Sequence, residues 1–184
     1  ENDIKDIVIQ LTNALEFLHG HNILHCDLKL ENIMVKKSKK KNKEIKIIDF
    51  DLSVICEEEE GYVANDIFGT LQYIAPESYD LCIYSKKTDI WQIGIILYVL
   101  ITNKFPHDSS EITLVNSYSN LCRQNVFKHI DLSVAKDAII KKGYSLSLYN
   151  LLENVLAFDE NKRYSIEDIR KCDWLKTERE TVGI

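Results

Sequence analysis

The chain has 184 residues, 45% of them apolar and 28% charged, which suits one soluble domain with a buried core. Its net charge of −6 speaks against nonspecific nucleic-acid binding. Five cysteines, odd in number and never spaced C-x-x-C, give no metal site and predict a reducing, cytoplasmic setting.

In chain order, Ile4, Ile7, Val8, Leu11, Leu15 and Leu18 follow helical spacing from Asp3 to Leu18. Gly20 and Asn22 then supply a stop, since both tolerate the left-handed backbone that ends a helix. NIMV and IKIIDF are short and β-branched, and read as a hairpin around the lysine-rich loop KKSKKKNKE. That loop is expected to be a solvated tip, with contact to an anionic partner as the alternative. EEEEGYVANDIFG is polar and lacks a period, and a loop this long in a domain is usually functional or disordered. TDIWQIGIILYVLI is apolar on nearly all sides, which predicts a buried central helix. Its run Ile90–Ile101 is too short to span a membrane and contains Gln92 and Gly94. Amphipathic segments follow near 110–122, 147–157 and 165–175, the last opened by the capping box SIED. The strands gather in one early hairpin and the remainder reads as helical, so the fold class is mainly α. The first residue is Glu1 and no signal peptide is visible, so the chain is expected to be an excerpt of something longer.

The stretch HCDLKLEN, residues 25–32, sets Asp27, Lys29 and Asn32 in a loop between helix and strand. A carboxylate there can take a proton from an attacking hydroxyl, and a lysine two residues on can neutralise a transferring group. An Asn oxygen can bind a hard cation such as Mg²⁺, and Asp49, after the neighbouring strand, offers a second ligand. Together these point to phosphoryl transfer from a nucleotide.

These residues resemble the eukaryotic protein kinases. HCDLKLEN is similar to the family's catalytic loop H-R-D-L-K-x-x-N, and DFD stands where the family has D-F-G. GTLQYIAPE resembles the end of the activation segment, DIWQIG the start of the central helix, and ENKRYSIEDI the last conserved block. All five occur in the family's order within residues 1–175. Lys29 and Thr70 favour the serine/threonine branch, with likeness to calcium/calmodulin-dependent and calcium-dependent kinases.

The resemblance implies ATP and Mg as cofactors. Asp27 would be the catalytic base, Lys29 would steady the γ-phosphate, and Asn32 and Asp49 would hold magnesium. Thr70 would bridge toward Asp27 and Lys29. Glu31 would read a basic residue before the target Ser or Thr of a protein substrate. Met34 would form the floor under adenine, with a plain core methionine as the alternative. His25 and Phe50 would be structural, Asp89 would accept hydrogen bonds from the catalytic-loop backbone, and Glu77 and Arg163 would form a buried ion pair. A calmodulin or calcium-binding regulatory segment would lie outside the chain.

The sequence also departs from the family. No G-x-G-x-x-G occurs, and no strand lysine precedes the catalytic loop. VAKDAI at 134–139 superficially resembles V-A-I-K but lies far downstream, and is rejected. The chain therefore reads as the carboxy-terminal lobe, expected to be inactive alone. Cys26 replaces the arginine of H-R-D, and Asp51 the glycine of D-F-G. Between Asp51 and Thr70 the only hydroxyls are Ser53 and Tyr62, so control by activation-loop phosphorylation is not expected. Two rival functions are a pseudokinase scaffold that acts by protein binding, and a phosphatase of the haloacid dehalogenase type. The second would need Asp49 and Asp51 on one face of a strand.

Overall fold

A computed structural model describes residues 1–37, 43–58, 61–107 and 130–176, with nothing said of the Lys37 side chain. Helix α1 (Asn2–Gly20) buries Ile4, Val8, Leu11, Leu15 and Leu18, the stripe that the apolar spacing predicts. Asn22, at φ 58°, turns the chain out of it in the left-handed region. Strand β1 (Ile23–Leu24) follows, then a short 3₁₀ turn at Leu30–Asn32.

Strands β2 (Ile33–Lys37) and β3 (Lys43–Ile47) form an antiparallel hairpin with Ile33 opposite Ile47. Gln10 on α1 docks it, donating to the Lys43 carbonyl at 2.9 Å and accepting from the Ile45 N–H at 3.0 Å. The tip of the lysine-rich loop, Glu59, Glu60 and the amphipathic segment read near 110–122 lie outside the described residues.

Two further ladders correct the reading of a single hairpin. β1 pairs with β4 (Val54–Ile55), and β5 (Tyr62–Val63) pairs with β6 (Ile83–Tyr84). Each ladder has strands of only two residues, too short for period-2 alternation to show in sequence. Between them, α2 (Pro76–Leu81) starts with Pro at its first position and closes on Cys82 in the left-handed region.

Helix α3 (Lys86–Thr102) opens with a capping box between Ser85 and Thr88 and is buried on nearly every side. It packs against α1, α4 (Ser133–Lys141) and α5 (Leu146–Val155). Gly94 lets side chains at the end of α5 pack onto the α3 backbone: a Cβ there would lie 2.6 Å from Leu156 Cδ2 and 3.1 Å from Val155 Cγ2. The V-A-K-D-A-I stretch is part of α4, a helix that the apolar spacing does not announce. Helices α6 (Ile166–Lys171), opened by the Ser165–Asp168 capping box, and α7 (Asp173–Lys176) complete the described chain. No helix among the described residues is long and apolar enough to cross a membrane.

Candidate active site

The loop after β1 lies on the N-terminal half of α3. Asp89, fully buried, accepts from the His25 N–H at 3.0 Å and the Cys26 N–H at 2.9 Å. Its Oδ2 also lies 2.8 Å from His19 Nε2, at the end of α1. Gln92, one turn further along α3, accepts from the Leu28 N–H at 2.8 Å and donates to the Cys26 carbonyl at 2.7 Å. Four backbone groups of the loop are thus paired without water, as burial requires. Sequence reasoning singles out Asp89 but misses Gln92 and His19. The spacing of Asp89 and Gln92, three apart on one helix face, is the available signal.

Asp27 is buried at the loop's centre. Lys29 Nζ lies 2.7 Å from Asp27 Oδ2 and donates to Thr70 Oγ1 at 2.7 Å, while the Thr70 N–H donates to Asp27 Oδ1 at 2.7 Å. Asn32 Nδ2 donates to the Asp27 carbonyl at 3.0 Å, which leaves its amide oxygen as the end available to a cation. The Ile48 N–H donates to the Asn32 carbonyl at 3.0 Å, extending the hairpin register so that Ile48 lies opposite Asn32 and Asp49 is the next residue of the chain. An amide oxygen and one carboxylate suit a hard cation that takes its remaining ligands from phosphates and water. Among the described residues, no three His, Cys, Asp or Glu side chains gather into a metal site of their own.

Asp49 is exposed and sits at φ 66°. Because β3 ends at Ile47, Asp49 and Asp51 are not strand residues, and the strand-face geometry of the dehalogenase-type reading is absent. Asp51 is not in the left-handed region, so an aspartate in the glycine position is unstrained here. Phe50 is 45% exposed and its ring stands 5.0 Å from that of His25. His25 Nε2 is buried and has no hydrogen-bond partner among the described residues. Met34 is 58% exposed, which corrects the core-methionine alternative. Glu31 is exposed on the 3₁₀ turn.

Cys26 is buried at φ 65°, packed with Leu24 and Tyr84 under Val54, Cys56, Ala64 and Phe68. Burial pushes its thiol well above the ordinary range, and the neighbouring Asp89 adds to the rise. Below the site, Arg163 makes a two-pronged pair with Glu77 at 2.6 and 2.9 Å. It also donates to the carbonyls of Ala157 at 3.0 Å and Lys87 at 2.8 Å, and lies over the Trp91 ring at 5.0 Å. This joins α2, α3 and the turn after α5.

Residues 1–175 match the family described as "Protein kinase domain". The chain is 40% identical to serine/threonine-protein kinase 33 of Bos taurus over 115 residues, 60% of this chain and 24% of that protein. It is 30% identical to a calcium and calcium/calmodulin-dependent serine/threonine-protein kinase of Pisum sativum over 179 residues, 97% of this chain and 32% of that protein. It is 28% identical to an Aurora kinase of Eremothecium gossypii over 173 residues, 92% of this chain and 41% of that protein. The matches thus span less than half the length of each of these relatives.

Proposed function

Because this chain belongs to the protein kinase domain family, we propose that the protein carrying it transfers the γ-phosphate of Mg-ATP to Ser or Thr of protein substrates. These 184 residues form the carboxy-terminal lobe of that domain. The observation that carries the reading is the closed set Asp27–Lys29–Thr70, in which one lysine and one threonine engage the same carboxylate at 2.7 Å.

In this reading Asp27 orients the substrate hydroxyl and accepts its proton as the oxygen attacks phosphorus, and Lys29 neutralises charge on the transferring group. Asn32 and Asp49 would hold magnesium, which when bound would supply positive charge against the phosphates. Thr70 keeps Lys29 and Asp27 in register. Glu31, exposed beside them, meets a basic residue that precedes the target Ser or Thr. Met34, Ile48, Phe50 and Leu52 expose apolar surface beside the site, as expected where adenine and a second lobe would lie. The free thiols at Cys26, Cys56 and Cys172 suit a cytoplasmic location. The likeness to calmodulin-dependent kinases supports a calcium-linked regulatory segment elsewhere in the protein.

The test uses the full-length protein, Mg-ATP labelled at the γ position, and a serine peptide with an arginine before the target. Wild type should label serine. Asp27→Asn should lower kcat by roughly 10²–10⁴-fold while the KM for ATP stays unchanged. Equal turnover by the two proteins would remove Asp27 from its role.

A further inference from the structure

Tyr84, on β6, is 1% exposed and stacks on Phe68 with ring centroids 3.9 Å apart and planes 13° from parallel. Its hydroxyl makes two hydrogen bonds to that same residue. It accepts from the Phe68 N–H at 2.7 Å and donates to the Phe68 carbonyl at 2.8 Å. Of the side chains that stack, only a neutral phenol offers a donor and an acceptor on one atom. Burial raises the ionisation of this phenol to about 12, so it stays neutral at ordinary pH.

Two residues beyond Phe68 comes Thr70, whose N–H and hydroxyl meet Asp27 and Lys29. Gly69 between them sits at φ 102°, where a Cβ would come 3.2 Å from the Cys26 carbonyl and 3.7 Å from Asp27 Oδ1. The link is therefore short, close to the catalytic loop, and fixed at both ends. The β5–β6 ladder and the Ala64 N–H, which donates to the Cys82 carbonyl at 2.9 Å, hold the platform that carries Tyr84.

We infer that Tyr84 is a positioning residue for phosphoryl transfer: its ring and hydroxyl clamp Phe68, and through Gly69 this sets Thr70 against Asp27 and Lys29. The inference rests on the kinase reading for its catalytic consequence, but not for the physical link. The clamp also occupies the neighbourhood of Cys26. It orders the segment by apolar stacking and backbone hydrogen bonds, with no phosphate required.

The experiment compares wild type, Tyr84→Phe and Tyr84→Leu in the full-length protein. Tyr84→Phe keeps the stack and removes both hydrogen bonds. It should lower kcat/KM for a serine peptide about tenfold, with KM for ATP unchanged. Amide exchange should speed up at Gly69–Thr70 while the cooperative unfolding midpoint moves little. Tyr84→Leu should show a larger loss, because the ring contact goes too. A purely structural role would instead lower the midpoint and accelerate exchange across the whole domain. Exchange at Gly69–Thr70 that matches wild type in Tyr84→Phe would overturn the inference, whatever the activity. If wild type transfers no phosphate but exchange still rises locally, the kinase reading fails and the clamp stands.

Discussion

The His25–Asn32 loop and the segment after β3 adjoin at the end of one hairpin. From His25 to Asn32 the loop is laced to α3 by Asp89 and Gln92, and Asp27 is buried among its partners. From Ile48 to Leu52 every residue is exposed, and Asp49 carries its carboxylate on a left-handed turn. The difference is one of chemistry. Groups that must meet a substrate hydroxyl at fixed geometry work best when they are already braced, because ordering them at the moment of reaction would cost rate. In the proposed reading a cation would take one ligand from each side, the buried Asn32 amide and the exposed Asp49 carboxylate, and the exposed one can stay open to water until the cation is bound.

The strongest way to break that contrast is Asp89→Ala. It strands the His25 and Cys26 amides and His19 Nε2, and should cost about 3–5 kcal/mol of unfolding free energy. Denaturant titration of the full-length protein reads this directly, and a loss below about 1 kcal/mol would show that the loop needs no such brace. Gln92→Leu removes one donor and one acceptor beside Cys26 and Leu28, so a loss of about 2 kcal/mol is expected, with turnover lowered as well. On the other side, Asp49→Asn should change stability by less than about 0.5 kcal/mol, since the group is exposed. It should nonetheless weaken the magnesium-dependent part of nucleotide binding in calorimetry with and without the metal. Asp51→Gly should move least. Its backbone is already unstrained, so stability should shift by under about 0.5 kcal/mol, and serine-peptide turnover should hold level or rise. A steep fall in turnover would assign Asp51 a positive part, such as a further metal ligand.

The sequence exposes what is periodic or chemically dense. The α1 stripe, the all-round apolar α3 and the Ser165–Asp168 box each repeat or cap at helical spacing, and all three appear at the expected residues. Asp27, Lys29, Asn32, Asp49 and Thr70 stand out by motif order, and the fold gathers them around one loop. What stays hidden depends on long-range neighbours. Gln92 reads as a polar interruption of an apolar helix until Cys26 and Leu28 lie against it. Tyr84 reads as one aromatic among many, because its partner Phe68 is 16 residues away, on the far side of α2 in the chain. The two-residue ladders leave no local pattern, since pairing alone defines them. The left-handed backbone at Cys26 has no side-chain signature, as cysteine is not a residue that favours it.

The glycine contact between α3 and α5 bears on how such a domain can move. Helices that meet through long side chains can slide by re-registering rotamers, the small-step shear that many regulated proteins use. At Gly94 there is no side chain to re-register, and Leu156 and Val155 already fill the space a methyl would take. A close-packed seam of this kind resists gradual deformation. Movement of α3 therefore carries α5 with it, and the Arg163 pairing to Glu77 brings α2 along. Any rearrangement of these helices is then expected to be a hinge motion, with the described helical body turning as one piece and the loops at its edge absorbing the change.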